Sequence, residues 1–232
     1  MSGYILGLDI GGSKCEAAVL RASSGNQFEV LARLRSPTPR QQGTAAIFET
    51  ITTLCNDVLK DAKVTAAKIK GVGAGLPGTV SPENGRMVFG NTMALIKKDF
   101  AGILKKSLKL KCRIVTANDA NCFAFAESLL GAGLKHAQSV RKDPHLLSSI
   151  GVILGTGVGG GIIMHGHIEA GRIGGAGEIG HTELYTGGHA CYCGRRGCAE
   201  TYLSGPGFEA HFASRMYSQV ASRPNAEGIF EM

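Results

Sequence analysis

Tyr4-Ile5-Leu6-Gly7-Leu8-Asp9-Ile10-Gly11-Gly12-Ser13-Lys14 opens the chain with an apolar run and a double-glycine turn, and a second apolar run follows through Ala17-Ala18-Val19-Leu20. Short apolar runs bounded by turn residues read as buried strands. The unit returns as Ser149-Ile150-Gly151-Val152-Ile153-Leu154-Gly155-Thr156-Gly157-Val158-Gly159-Gly160-Gly161-Ile162-Ile163-Met164. Ile5, Leu6, Gly7, Gly11 and Gly12 align with Ile153, Leu154, Gly155, Gly159 and Gly160 at a constant offset of 148 residues. A duplicated α/β architecture with a ligand between its halves accounts for the repeat; chance likeness of two glycine-rich hairpins is the alternative. The glycines lead into a strand and not a helix, which excludes the dinucleotide-binding fingerprint. A tight glycine turn can cradle an anion on its backbone N–H groups. Asp9, beside the first turn, could hold Mg²⁺ through water. An ordinary hairpin with Asp9 as a turn residue is the plainer reading of that segment alone.

The second informative stretch is Glu178-Ile179-Gly180-His181, followed by Cys191-Tyr192-Cys193-Gly194-Arg195-Arg196-Gly197-Cys198-Ala199-Glu200. Three cysteines and a histidine fall within eighteen residues. His181, Cys191, Cys193 and Cys198 are a donor set for a structural, four-coordinate Zn²⁺. The spacing is not that of a zinc finger, and free thiols beside a surface histidine are the alternative. Glu178 and Glu200 bracket the cluster, and carboxylates accept hydrogen bonds from hydroxylated ligands; solvated surface glutamates are the ordinary case.

Between these stretches the pattern alternates strand and helix. Ser23–Asn26 reads as a turn and Val30–Arg35 as a strand that ends before Pro37. Thr44–Ala62 carries helical apolar spacing at Ile47, Ile51, Leu54, Val58 and Leu59. Ile69–Gly75 is a strand into the turn Leu76-Pro77-Gly78-Thr79, and Ser81–Gly85 is another turn. Asp99–Leu108 reads as a helix, Lys111–Val115 as a strand and Cys122–Leu130 as a helix. Asn118-Asp119 thus sits after a strand and before a helix, where ligands of α/β proteins collect. Both residue types are also common helix caps.

The composition, 44% hydrophobic and 19% charged over 232 residues, is that of a globular protein. No apolar run is long enough to span a bilayer, and the N-terminus reads as a strand and not a signal peptide. Seven cysteines, three of them in the cluster, fit a reducing cytoplasm and not a disulfide framework. The net charge of +7 is concentrated at 97–113. Aromatic residues hardly interleave there and no nucleic-acid module is present, so a solvated helix face is expected.

Taken together, Asp9–Lys14, Asn118-Asp119-Ala120-Asn121, Leu154–Gly160, Glu178–His181 and Cys191–Glu200 resemble the ROK family of sugar kinases, in order and spacing. The resemblance implies a two-lobed, actin-like (ribonuclease H-like) fold, with lobes at 1–118 and 119–232 and the second incomplete. It implies phosphorylation of a hexose or N-acetylhexosamine at carbon six, with ATP, Mg²⁺ and a structural Zn²⁺. Asp119 would be the catalytic base. Sugar contacts would fall on Gly78, Thr79, Asn91, Asn118, Asp119, Glu178, His181 and Glu200. Phosphates would lie on Asp9, Gly11, Gly12, Ser13, Lys14, Gly155, Thr156, Gly157, Gly159 and Gly160. His181 would serve both zinc and sugar. The absence of an N-terminal helix-turn-helix argues against the family's repressor branch. The family extends well beyond Glu200 with a further glycine-rich adenosine turn, and Ser218–Met232 carries no such motif. N-acetylglucosamine kinases, fructokinases and glucokinases are not separated at this level. Sugar and ATP are the expected partners, a homodimer is the family's common form, and neither nucleic acid nor membrane is expected. The rival is a non-catalytic sugar-binding or regulatory protein; a scaffold without a ligand is the third reading.

Overall fold

The computed structural model describes residues 3–23, 28–90 and 92–216. The expected turn at Ser23–Asn26 and Ser218–Met232 therefore fall largely or wholly outside the described residues. The chain divides into two compact units, one of residues 1–122 with 171–175 and one of 123–170 with 176–232. The expected boundary at 118/119 lies just ahead of that division.

The first unit is built on a five-stranded sheet in the order β3-β2-β1-β4-β7. Its strands are β1 (Tyr4–Ile10), β2 (Lys14–Ala22), β3 (Phe28–Pro37), β4 (Ile69–Leu76) and β7 (Arg113–Asn118). β1, β2 and β3 pair antiparallel, and β4 and β7 extend the sheet parallel to β1. A two-stranded ribbon of β5 (Gly78–Val80) and β6 (Met87–Gly90) follows β4. β3 runs through Pro37 and does not stop before it. It is an edge strand, where a residue that cannot donate a ladder hydrogen bond is tolerated.

Helix α1 (Gly43–Asp61) buries Ile47, Phe48, Ile51, Leu54, Cys55, Val58 and Leu59, spaced three or four apart along one face. That face joins Leu6, Leu8, Ile10, Ala17 and Val19 of the sheet in one core. Each fully buried Leu or Ile contributes about 1.5–3 kcal/mol. Phe48 also meets Phe100 of α2 (Phe100–Ser107), with ring centroids 5.4 Å apart. α2 is capped by Asp99, whose carboxylate accepts the Gly102 N–H at 2.9 Å. The basic stretch at 97–113 is not one helix face. Of its lysines only Lys105 and Lys106 lie in α2, while Lys97 and Lys109 adopt positive φ in the flanking turns.

In the second unit β8 (Ser149–Leu154), β9 (Val158–Met164) and β10 (His167–Ile168) form an antiparallel sheet in the order β10-β9-β8. Helices α4 (Ala132–Ser139), α5 (Glu200–Leu203) and α6 (Gly205–Met216) belong to it. α3 (Asp119–Leu129) starts in the first unit and runs into the second; it begins at Asp119, ahead of the expected Cys122. Asn118 explains the early start: its Oδ1 accepts the Asn121 N–H at 3.0 Å, as a helix cap does.

The two glycine hairpins are not superposable residue for residue. Gly11 and Gly12 form the β1–β2 turn, but their aligned counterparts Gly159 and Gly160 lie inside β9. The β8–β9 turn is Gly155–Gly157, offset from Gly11 by 155 − 11 = 144 residues. Packing accounts for the glycine at 160: a Cβ there would lie 2.7 Å from the Gly177 carbonyl oxygen. No described helix is long and apolar enough to cross a membrane.

Candidate functional site

In the first unit the C-terminal ends of β1, β4 and β7 gather most of the expected residues. Asp9 sits opposite Gly75 in the β1–β4 register, and Leu76 sits opposite Asn118 in the β4–β7 register. A Cβ on Gly75 would lie 3.5 Å from the Asp119 Cα, so the chain passes close here because residue 75 has no side chain. Asn118 Nδ2 donates to the Gly78 carbonyl at 3.1 Å. Asn118 therefore caps α3 with one atom and holds the Gly78 turn with the other. Capping accounts for Asn118 and leaves Asp119 to be explained. The Asp119 Oδ1 accepts the N–H of Ala120 at 2.8 Å, which orients the carboxylate at the start of α3.

The titration of nearby groups reports the same crowding. Burial, and next the charge of Glu16, raise the Asp9 carboxyl above its ordinary value, against the pull of Lys14, Arg33 and Arg35. Burial pushes the Cys122 thiol up to about 11, and the charges of Asp119 and Asp9 add to it. Thr79 is buried in β5. Ser13 and Lys14 are exposed at the turn, and Gly11 and Gly12 are half-buried. Asn91 lies outside the described residues.

The turn is braced by Thr38, a residue that the sequence reading passes over. Thr38 Oγ1 donates to the Gly11 carbonyl at 2.8 Å, and its N–H donates to the Ser13 carbonyl at 2.9 Å. Its one sequence signal is its place between Pro37 and Pro39.

In the second unit His181, Cys191, Cys193 and Cys198 come together with their ligand atoms all within 4.8 Å of one another. His181 Nδ1 lies 3.5 Å from the Cys191 sulfur, and the Cys193 and Cys198 sulfurs are 3.6 Å apart. A zinc tetrahedron with ordinary bond lengths has edges of about 3.3–3.8 Å. The donor set and its spacing fit a metal ion. Partial burial would raise the Cys193 thiol, but hydrogen bonds from Arg195 and from the other two cysteines outweigh it and bring it down to about 6. Its neighbour Cys198 is pushed the other way, to about 12, by burial and next by Cys193 and Cys191.

His181 Nε2 lies 3.1 Å from the Tyr192 hydroxyl, and the two rings meet edge-on at 5.2 Å. Tyr192 is the second residue missed from sequence, although it is the central residue of Cys191-Tyr192-Cys193. Burial, then the Glu200 charge, raise its hydroxyl well above the ordinary range. Gly194 and Gly197 both take positive φ in this loop. A side chain on Gly197 would run into the Tyr185 carbonyl, so only glycine fits.

The cysteine loop is fastened to the glycine turn of its own unit. Glu200 Oε2 accepts the Val158 N–H at 2.8 Å, and the Gly205 N–H donates to the Gly155 carbonyl at 2.8 Å. Gly180, between Glu178 and His181, packs where a Cβ would strike the Val158 carbonyl. Gly155 and Thr156 are exposed and Gly157 half-buried in the turn, Glu178 is half-buried, and His181 is 6% exposed.

The chain is similar to the N-acetyl-D-glucosamine kinase of Pasteurella multocida (strain Pm70), 36% identical over 214 residues that make up 88% of this chain and 64% of that protein. It thus spans somewhat less than two thirds of the length of such curated relatives. Among solved structures, a ROK family glucokinase from Streptomyces griseus in complex with glucose and AMPPNP is 28% identical, with a TM-score of 0.75 over 94% of this chain and 62% of that one. The ROK hexokinase of Thermus thermophilus is 25% identical, with a TM-score of 0.73 over 98% of this chain and 68% of that one. The α/β architecture shared with these structures is the actin-like ATPase fold. With residues 5–226 matching the family's description from end to end of both glycine hairpins and the cysteine loop, the chain belongs to the ROK family.

Proposed function

We propose that the chain serves ATP-dependent phosphorylation of a hexose or N-acetylhexosamine at its carbon-six hydroxyl, with Asp119 as general base. The observation that carries this reading is the placing of Asp119 at the first turn of α3, beside Asn118 and at the strand ends that also carry Asp9 and Gly78. A hydroxyl attacking a γ-phosphate must lose a proton, and a carboxylate within hydrogen-bond reach accepts it. Asn118, held by the Gly78 carbonyl, positions the acceptor segment. Gly78, Thr79, Asn91, Glu178, His181 and Glu200 are the proposed sugar contacts. The two glycine turns bind phosphate, and Asp9 would hold Mg²⁺, which supplies charge neutralisation. The remaining catalysis is positioning and preorganised charge. Zn²⁺ on His181, Cys191, Cys193 and Cys198 would be structural and supplies the cross-link that orders the loop between Glu178 and Glu200. The similarity to N-acetyl-D-glucosamine kinases favours an N-acetylhexosamine as acceptor, in the cytoplasm.

ADP release with Mg-ATP and a panel of N-acetylglucosamine, N-acetylmannosamine, glucose, mannose and fructose tests the reading. Turnover is expected with one sugar, and Asp119→Asn should lower kcat by about 10²–10⁴-fold while sugar binding persists. Full activity of Asp119→Asn would remove the base assignment. Sugar binding without any turnover by the parent chain would favour the non-catalytic reading.

A further inference from the structure

The segment after β3 is tied to the first glycine turn. Thr38 bonds both the Gly11 and the Ser13 carbonyls, and the Arg40 N–H donates to the Thr38 carbonyl at 2.8 Å. The backbone position of Arg40 is therefore set by the turn itself. On the other side, Thr44 Oγ1 donates to the Ala94 carbonyl at 2.8 Å and anchors the 3₁₀ turn at Met93–Leu95 to the start of α1. Between these segments lies a cavity of about 710 Å³, with Gly12, Thr38, Arg40, Gln41, Gln42 and Met93 in its lining.

The lining contains a guanidinium and two carboxamides but no carboxylate. The ion pairs among the described residues are Arg21 with Glu29 and Glu16 with both Arg33 and Arg35, so the Arg40 side chain has no acidic partner there. The Gly12 and Ser13 N–H groups likewise make no backbone hydrogen bond among the described residues. A guanidinium presents donors in a fork that matches phosphate oxygens two at a time. Backbone N–H groups of a glycine turn are further donors for an anion, and Gly12 lies in the same lining. A neutral sugar would satisfy neither the charge nor the excess of donors.

We infer that Arg40 is a further phosphate contact: its side chain binds the terminal phosphate group held at the Gly12 turn. The inference rests on the sugar-kinase reading only for the identity of that phosphate, which is the γ-phosphate of the nucleotide or the 6-phosphate of the product sugar. The site itself stands on the cavity and its donors.

Isothermal titration of the parent chain, Arg40→Ala and Arg40→Lys with Mg-AMPPNP, N-acetylglucosamine 6-phosphate, glucose 6-phosphate and inorganic tripolyphosphate tests it, with the unphosphorylated sugars as controls. Arg40 is exposed, so both variants should fold, which thermal unfolding verifies. Arg40→Ala should weaken at least one phosphate ligand by about ten- to a hundredfold, the worth of a charge-assisted hydrogen bond. Arg40→Lys should recover part of that loss, and the unphosphorylated sugars should bind unchanged. Weakening confined to AMPPNP and tripolyphosphate assigns the nucleotide; weakening confined to the sugar phosphates assigns the product. The inference is overturned if no phosphate is weakened, if the plain sugars weaken equally, or if the parent chain binds none of the phosphates. A parent chain that binds phosphates through Arg40 but phosphorylates no sugar defeats the kinase reading and leaves this site standing.

Discussion

The Glu200 carboxylate accepts the backbone N–H of Val158 at 2.8 Å, which ties the first residue after the cysteine loop's Cys198-Ala199 to the start of β9. The same oxygen would lie 2.6 Å from a Cβ at Gly157. A residue expected from sequence as a sugar contact is thus also a brace for the glycine turn Gly155–Gly157. Val158 is 6% exposed, so its N–H has little access to water if the acceptor is removed. Glu200→Ala should cost about 1–3 kcal/mol, the penalty of a buried unsatisfied donor. Glu200→Gln keeps an acceptor oxygen and should cost less. Amide exchange at Val158 separates these cases: it should accelerate strongly in Glu200→Ala and little in Glu200→Gln. Equal protection in all three proteins would show that the hydrogen bond contributes nothing to the turn.

The cysteine loop is held by backbone hydrogen bonds, among them Leu184 N–H to the Gly197 carbonyl, Cys191 N–H to the Arg195 carbonyl and Ala199 N–H to the Thr182 carbonyl. Of its residues between Thr182 and Arg196 most are exposed; Cys191 is buried, and Gly188 and Cys193 are half-buried. An ion on the four candidate ligands would add a cross-link to these hydrogen bonds, and its binding free energy would then become stability of the folded unit. Elemental analysis should find one zinc per chain in the parent and none in Cys191→Ala or Cys198→Ala. At free zinc a thousand times the dissociation constant, the ion contributes about 4 kcal/mol, or about 8–16 °C in Tm for a protein of this size. A chelator should remove that increment from the parent and leave the variants unmoved. A parent chain free of zinc, with a melting point indifferent to chelator, would sink the assignment.

Gly78 and Gly90 face each other in the β5–β6 ribbon, both with φ near +155°. A Cβ on Gly78 would overlap the Phe89 carbonyl, and one on Gly90 would lie 2.5 Å from the Pro77 carbonyl oxygen. The clash is with backbone, so no rotamer relieves it. Gly78→Ala should destabilise by about 1–3 kcal/mol, the usual cost of enforced backbone strain. It should also displace the carbonyl that accepts from Asn118 Nδ2. Sugar affinity should therefore fall by more than in Gly73→Ala, where a Cβ meets nothing within 4 Å. Equal sugar affinity in the two variants would separate the Gly78 turn from the site.

What was legible in the sequence follows the strength of each local pattern. The helix from Thr44 shows itself through its apolar spacing, and α1 buries each of the apolar residues that mark it. The strand–turn–strand character of both glycine hairpins is equally plain. Their alignment is misleading because glycine serves two ends, a turn at Gly11–Gly12 and close packing at Gly160, and identity alone does not distinguish them. The lysines at 97–113 suggest a solvated helix face, yet only Lys105 and Lys106 lie in α2, and Lys97 and Lys109 take positive φ in the turns on either side, a conformation that lysine does not advertise. Spacing marks the Cys3His set as a metal site only in outline; the fold brings His181 to the sulfurs across ten residues of loop. Thr38 and Tyr192 are silent because their roles depend on partners distant in sequence, Gly11 at 27 residues and His181 at 11.

Glu16 adds to the upward shift that burial imposes on Asp9. The two are direct cross-strand partners in β1 and β2, and Arg35 is the partner of Glu16 in β3. Like charges directly opposite repel, and Glu16 accordingly helps to raise Asp9 after burial. Glu16 itself moves the other way. Partial burial would raise it, but hydrogen bonds from Arg33 and Arg35 outweigh that and hold it below 4.5. A carboxyl depressed in the folded state contributes stability that is complete above its unfolded value of about 4.5 and is lost as the pH falls through the folded value. The arginines are 56% exposed, so solvent screens each pair and its contribution to stability is small. Glu16→Gln should thus be slightly less stable than the parent at pH 7 and equally stable in acid, below the folded-state titration of Glu16. Its second effect runs in the opposite sense: with the Glu16 charge gone and two arginines released, the Asp9 carboxyl should titrate at lower pH. Carbon-13 NMR of the Asp9 carboxyl reads that shift directly. An Asp9 titration that stays put or rises in Glu16→Gln would mean that burial alone sets it, and that the row Asp9–Glu16–Arg35 has no part in tuning the proposed Mg²⁺ ligand.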